Sequence, residues 1–354
     1  SYLQPLVAGY LADLEQRLGD AGFGGRFLVV QSNGGIMTSE AARSLPVRTA
    51  LSGPAAGVIA AAQLAGAAGF DDVLTCDMGG TSFDIAVIHG GQSVLSAQTA
   101  VDFGMVIRTP MIEITTIGAG GGSIAHVDRG GVLQVGPESA GSIPGPACYG
   151  QGTTRPTVTD ANVVLGRINA DSPIGGVLDR LDVEAAERAV DEHIGRPLGL
   201  PTHAAAEAIL KVATAAMSGA LRLVSIERGH DPARFVAMPF GGAGALHSCA
   251  FLADLGLGGV LVPRYPGVTS ALGCLVADLR HDVVRTINTP VSELDAATMT
   301  SHLERDDRVA RELVEAAEMI LGRNPRFEAV SLSWTDTFEQ AAQKARTALE
   351  SLDT

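Results

Sequence analysis

Asp77-Met78-Gly79-Gly80-Thr81-Ser82-Phe83-Asp84 places two carboxylates around a glycine pair and a threonine. Glycines without Cβ let backbone N–H groups approach a phosphate closely, and Thr81 adds a hydroxyl donor. Asp77 closes an apolar, strand-like run, Val73–Met78, and could hold Mg²⁺ through water, because Mg²⁺ keeps several waters and takes one or two carboxylates. The plain alternative is an ordinary hairpin with a D-x-G-G turn. A second element, Phe240-Gly241-Gly242-Ala243-Gly244-Ala245-Leu246-His247, reads as strand, glycine turn and helix. A nicotinamide fingerprint would need a third glycine where His247 stands. It would also need an acid about 20 residues on, where the chain has Val260-Leu261-Val262. A glycine turn against a nucleobase or ribose fits better, with a simple strand-to-helix turn as the alternative.

A third cluster, Gly118-Ala119-Gly120-Gly121-Gly122, is either a close approach to a ligand, a hinge or a surface loop. His126 and Asp128 follow it and read as hairpin residues, although His126 could serve as an acid or base. Cys148, within Pro144–Gly150, has no base near it in sequence and reads as a buried thiol.

The elements that must position these groups are legible from apolar spacing. The pattern predicts a helix over 2–18, a strand over 26–31 and a small-residue helix from Ser52 to about Ala68. A three-strand meander is expected at 73–78, 82–89 and 93–101, followed by an irregular glycine-rich region over 102–160. Helices are expected at 183–194, 202–228, 245–255 and 270–278, with strands at 235–240 and 260–262. Charged amphipathic helices close the chain at 299–321 and 338–352.

Composition removes several rival chemistries. The 354 residues carry 39 Asp and Glu against 25 Lys and Arg, a net charge of −14. Only Lys211 and Lys344 are lysines, and neither follows a glycine turn, so no Walker A loop is present. The acidic balance disfavours phosphate-backbone binding to nucleic acid and anionic membranes. Four scattered cysteines without a C-x-x-C pair suggest reduced thiols in the cytoplasm. No signal peptide and no long charge-free apolar run suggest a membrane segment. The first residue is Ser1, not Met, which suggests a piece of a longer chain.

Eight blocks, in order, carry a resemblance: SNGGIM (32–37), SGPAAG (52–57), DMGGTSFD (77–84), TIGAGGGSIAHVD (116–128), PGPACYG (144–150), TVTDAN (157–162), FGGAGALH (240–247) and VPRYPGVTSALGCLVADLRHD (262–282). Together they resemble the hydantoinase A/5-oxoprolinase family, which includes ATP-dependent ketone carboxylase subunits. The resemblance implies an α/β actin-like ATPase (ribonuclease H-like) fold, a mixed sheet flanked by helices. Residues 1–287 would be the second half of that fold, with the insertion at about 102–160, and 288–354 a mostly helical start of the C-terminal region. It implies ATP and Mg²⁺, with Gly79, Gly80 and Thr81 on the phosphates and Asp77 as the catalytic and metal-holding carboxylate. Gly241, Gly242, Ala243 and Gly244 match the adenosine element, Gly53 and Gly57 the connecting helix, and Gly120, Gly121 and Gly122 the substrate end of the cleft. The family's first phosphate element has no counterpart here, so its N-terminal domain is expected outside this chain. The Asp that usually precedes PGPACYG is Ile143 here.

The activity implied is ATP-dependent hydrolysis of a cyclic amide such as a hydantoin or 5-oxoproline, often with a hydantoinase B-type subunit as partner. The alternatives are a ketone carboxylase subunit and a non-catalytic actin-like nucleotide binder. The 116–123 loop and PGPACYG match the enzymes and not the chaperones of that superfamily.

Overall fold

A computed structural model of the chain describes residues 3–100, 106–173, 178–280, 282 and 296–321. Two compact units emerge, Ser1–Asp278 and Leu279–Thr354. The first is built on a mixed sheet. Its five main strands, in chain order, are Val73–Met78, Phe83–His89, Ile114–Ile117, Val236–Phe240 and Gly259–Val260. Numbered that way, their spatial order is 3-2-1-4-5, with strand 2 antiparallel to both neighbours and strands 1, 4 and 5 parallel. Val73–Met78 lies at the centre, paired on both edges and covered on both faces. That placement explains its unbroken apolar character.

Strand parity sorts the core into two layers. Leu74, Cys76 and Met78 face a large cluster with Phe83, Ile85, Val87, Ile209, Met217 and Phe251. Helices Val158–Val164, Val183–Val190 and Thr202–Ser225 also contribute to that cluster. Val73, Ala86, Ile88, Met238 and Phe240 face the other way, against Ala55, Val58 and Ala61 of helix Ser52–Ala67. Because side chains alternate along a strand, Asp77 and Asp84 project onto this second, small-residue face.

That face is covered unusually closely. Helix Thr269–Val276 crosses Ser52–Ala67 so tightly that a Cβ on Gly273 would lie 1.8 Å from the Ala56 carbonyl oxygen. A Cβ on Gly57 would lie 2.8 Å from both the Phe240 ring and Ser270 Oγ. The two helices therefore approach backbone to backbone, which the glycines alone permit.

Most expected elements are present with shifted ends. The first helix is Gln4–Asp20. The first strand is short, Leu28–Val30, and turns through Asn33-Gly34-Gly35 onto Ile36–Thr38. The third strand of the expected meander is corrected. The chain pairs with strand 2 only at Gln92–Ser93, then Leu95–Ser96 and Thr99–Ala100 leave for separate two-stranded ribbons. Strand 2 is completed instead by Ile114–Ile117. The 183–194 helix ends its α-turns at Val190 and passes through a π-turn, Asp191–Gly195, into Arg196–Leu198. The helix after Gly244 begins as a 3₁₀ turn, Gly244–His247, before Ser248–Leu255.

Helix Thr202–Arg228 is long and apolar enough to cross a membrane by length and composition, although Glu207, Lys211 and Arg222 interrupt it and no long charge-free run is present. Fifty-six per cent of its most apolar stretch is buried inside the fold, where it forms the spine of the larger core. In the second unit, Ala296–Leu321 is a helix carrying an Asp307–Arg311 ion pair at i,i+4 spacing, 2.8 Å. The expected helix 338–352 lies outside the described residues.

Candidate nucleotide-binding site

The site begins with a row across the sheet. Asp77 and Asp84 are direct partners in the antiparallel ladder of strands 1 and 2, and Asp84 pairs in turn with Thr116 on strand 3. Partners of this kind stand with Cβ atoms about 4.5–5.5 Å apart on one face, so two carboxylates meet there. The Thr116 hydroxyl donates to Asp84 Oδ1, and Ser82 Oγ donates to Asp84 Oδ2 at 3.4 Å. Ser270 Oγ, from the covering helix, reaches Asp77 Oδ2 at 3.5 Å.

Burial pushes the Asp77 carboxyl up to about 6, and the charge of Asp84 adds to the rise while Ser270 opposes it. Asp84 is also raised by burial, against the hydrogen bonds from Thr116 and Ser82. The pair is thus strained toward holding a proton or a cation. Among the described residues, no group of three or more His, Cys, Asp or Glu side chains converges on a metal. A two-carboxylate site fits Mg²⁺, which keeps most of its water shell, and does not fit zinc.

The strand ends in an open turn. Gly79 N–H donates to Ser82 C=O at 3.1 Å, and Gly79, Gly80 and Thr81 are exposed. A Cβ on Gly79 or Gly80 would meet nothing within 4 Å. These glycines therefore leave space above the turn.

Gly241 is brought directly onto Asp77. Its φ of +79° suits glycine alone, and a Cβ there would lie 2.5 Å from Asp77 Oδ1 and from the Met78 carbonyl oxygen. Ala243 N–H donates to Met78 C=O at 3.2 Å, and a Cβ on Gly244 would fall 2.9 Å from the Cys76 carbonyl oxygen. Gly242 is exposed with open space beside it. The two glycine elements, 164 positions apart from Asp77 to Gly241, form one continuous surface at the ends of strands 1 and 4.

Gly120, Gly121 and Gly122 are buried beneath the 79–81 turn. Gly121 N–H donates to Gly79 C=O at 2.9 Å, and Gly122 N–H to Gly80 C=O at 2.6 Å. On its open side Thr81 Oγ1 lies 3.4 Å from Ser139 Oγ. A Cβ on Gly53, in the first turn of helix Ser52–Ala67, would meet nothing within 4 Å, while Gly57 lies against Ser270 as described.

Other residues resolve into structural parts. Asp160 is fully buried and accepts from Ala147 N, Cys148 N, Thr157 N and Thr157 Oγ1 at 2.7–3.1 Å. TVTDAN thereby anchors PGPACYG. Burial and the Asp160 charge push the Cys148 thiol far above its ordinary value, so it is no nucleophile. His247 is buried against Phe251, with Nδ1 3.3 Å from Thr214 Oγ1. Burial, helped by the charge of Arg167, lowers it to about 4, which leaves it neutral. His126 is exposed on the hairpin Ser123–Val127/Leu133–Ser139, whose turn Asp128 closes by accepting from Gly130 N and Val132 N. Ile143 is 84% exposed.

Ser270, Thr116, Ser139 and Thr159 had no role in the sequence reading. Thr116 could have been found by parity, but only once strand 3 was known to pair with strand 2. Ser270 lies 193 residues from Asp77, and nothing local marks it.

A 3-2-1-4-5 mixed sheet between helical layers, with a carboxylate at the end of strand 1 above a D-x-G-G-T turn, defines an actin-like ATPase (ribonuclease H-like) fold. Within it the chain belongs to the hydantoinase/oxoprolinase family, whose sequence model matches residues 1–283. It is 40% identical over 288 residues to the caprolactamase subunit alpha of Pseudomonas jessenii, covering 81% of this chain and 41% of that one. It is 39% identical over 283 residues to the acetophenone carboxylase gamma subunit of Aromatoleum aromaticum, covering 79% and 38%. The crystal structure of the ATP-dependent caprolactamase from Pseudomonas jessenii superposes with a TM-score of 0.74 at 35% identity, over 92% of this chain and 46% of that one. The chain spans less than half the length of these relatives.

Proposed function

We propose that this chain is the nucleotide-gripping part of an ATP-dependent hydrolase of cyclic amides, acting by phosphoryl transfer to the amide oxygen. The observation that carries the proposal is the Asp77–Asp84 pair beside an exposed glycine turn. Among the described residues, the Gly80 and Thr81 N–H groups of that turn have no hydrogen-bond acceptor. Phosphoryl transfer asks little covalent chemistry of the protein; it needs positioning and charge neutralisation.

Each residue has a part in this reading. Gly80 N–H, Thr81 N–H and Thr81 Oγ1 bind phosphate oxygens. Asp77, with Asp84 beside it as the second carboxylate, would hold Mg²⁺, and Asp77 carries the catalytic role. When bound, the cation supplies neutralisation of phosphate charge. Gly241–Gly244 bear on the adenosine, with Gly242 leaving room for it. The amide oxygen attacks the terminal phosphorus as the bond to the bridging oxygen breaks and ADP departs. Water then adds to the activated carbon and the ring C–N bond opens, leaving an amino acyl phosphate; a second water attacks the same carbon, and phosphate leaves with the former amide oxygen. The sum is lactam, ATP and two waters giving amino acid, ADP and phosphate.

The similarity to the caprolactamase subunit supports the cyclic-amide reading. The nearly equal similarity to a carboxylase subunit keeps ketone carboxylation as the second reading, in which an enol oxygen receives the phosphoryl group. The caprolactamase and acetophenone carboxylase relatives are named as subunits, which supports a hydantoinase B-type partner; a further stretch of polypeptide would grip the phosphates from the other side. In this reading the enzyme works in the cytoplasm, where ATP is at hand, and residues 1–354 alone turn over little ATP. Gly120–Gly122 shape the substrate end of the cleft through the turn they support. The test is ATP-dependent ring opening by the full-length protein with its partner subunit, over hydantoin, 5-oxoproline and larger lactams. One ADP per ring opened is expected. Bicarbonate-dependent consumption of a ketone with no lactam opening would favour the second reading.

A further inference from the structure

Gly120, Gly121 and Gly122 grip carbonyls, and the direction of that grip has a consequence. In a trans peptide the C=O of one residue and the N–H of the next point in opposite directions. Gly121 N–H holds the Gly79 carbonyl and Gly122 N–H holds the Gly80 carbonyl, both from beneath the turn. The Gly80 and Thr81 N–H groups must then point away from the clamp, toward the exposed side.

The clamp is itself fixed. A Cβ on Gly120 would sit 2.6 Å from Gly80 C and from Thr81 N and C, so Gly120 lies flat against that peptide. The Gly121 carbonyl accepts from Thr159 N at 2.8 Å and from Thr159 Oγ1 at 2.9 Å, and the Gly122 carbonyl accepts from Ala140 N at 2.8 Å. Thr159 stands in the first turn of helix Val158–Val164, which the Thr157–Asp160 capping box fixes. The orientation of two peptides on the nucleotide sheet is thus set by residues 120–122 and 159, which lie outside its strands.

We propose that Gly120, Gly121, Gly122 and Thr159 are positioning residues that aim the Gly80 and Thr81 N–H groups at a phosphate. This rests on the nucleotide-binding reading above. It assigns to the glycine loop the orienting of the phosphate turn, a role separate from any contact with substrate.

The test compares affinity for ATP with affinity for adenosine, which lacks phosphates, by calorimetry on the full-length protein. Gly120→Ala should weaken ATP binding by about tenfold or more, the scale of misdirected charge-stabilising donors. Adenosine binding should stay within about twofold. Gly120→Ala can also fail to fold, so Thr159→Val is the second variant. Removing its hydroxyl donor should weaken ATP binding about threefold or more, and Thr159→Ser should restore it. Parallel losses of ATP and adenosine affinity would make these residues merely structural and overturn the proposal. So would unchanged ATP affinity in both variants when the wild-type protein prefers ATP over adenosine. Equal wild-type affinity for the two ligands would overturn the phosphate-binding reading itself, and the clamp's role with it.

Discussion

Asp77→Asn lowers ATP-dependent turnover by at least about 100-fold while making the folded protein more stable at neutral pH. The first effect follows from the place of Asp77 beside the phosphate turn. Asn keeps the size but loses the charge that holds a hydrated cation, and a 100-fold loss corresponds to about 2.7 kcal/mol of transition-state stabilisation. The second follows from its raised pKa of about 6, caused by burial and the facing Asp84. A carboxylate with a raised folded-state pKa binds its proton more tightly folded than unfolded. Its ionisation therefore costs stability, beginning near its ordinary value of about 4 and complete above about 6. At pH 7.5, without divalent cation, Asp77→Asn should gain about 1–3 kcal/mol, and at pH 4 the gain should vanish. Denaturant titration at the two pH values, with kcat measured alongside, checks both halves. A variant that loses activity and stability together would show that Asp77 is part of the scaffold. Groups held at a cost to stability are the ones expected at functional sites.

The second large effect is on folding. Gly273→Ala should destabilise the protein by about 3 kcal/mol or more, at the upper end of overpacking losses. Its Cβ would lie 1.8 Å from the Ala56 carbonyl oxygen and 2.5 Å from its carbon, and backbone cannot swing aside as a side-chain tip can. The displaced helix also carries Ser270, so Asp77 should lose its hydroxyl partner. Gly219→Ala is the control. It sits within helix Thr202–Ser225 with nothing within 4 Å of its Cβ position, and should be neutral or stabilising by about 0.5–1 kcal/mol. Denaturation midpoints of the two variants decide the matter. Equal midpoints would mean that the helix crossing gives way without cost.

These two residues also show what sequence could and could not reveal. Asp77 was legible because its surroundings are local: an apolar strand, a glycine pair, a threonine and a second acid seven residues on. The central strands and the long helix were legible for the same reason, since their periods are carried by neighbouring residues. Gly273 was part of a recognisable block, yet its purpose depends on a helix more than 200 residues earlier, and no local pattern encodes that crossing. Residues 93–101 misled because alternation alone cannot say which ribbon a strand joins. There, three short pairings with different partners replace one continuous strand. For Gly120–Gly122 the sequence left a close approach to a ligand, a hinge and a surface loop open. What they approach is a peptide of the phosphate turn, and only the three-dimensional register of hydrogen bonds identifies it.

The central claim is that the chain serves phosphoryl transfer to the substrate oxygen. It is tested most directly by following that oxygen. The full-length enzyme, with its partner subunit, would open a lactam carrying ¹⁸O in its carbonyl, and the inorganic phosphate released would be weighed. Phosphoryl transfer to the amide oxygen predicts one ¹⁸O in the phosphate for each ring opened. Phosphate free of ¹⁸O, with the label retained in the product carboxylate, would mean that the amide oxygen does not depart with phosphorus and would contradict the account.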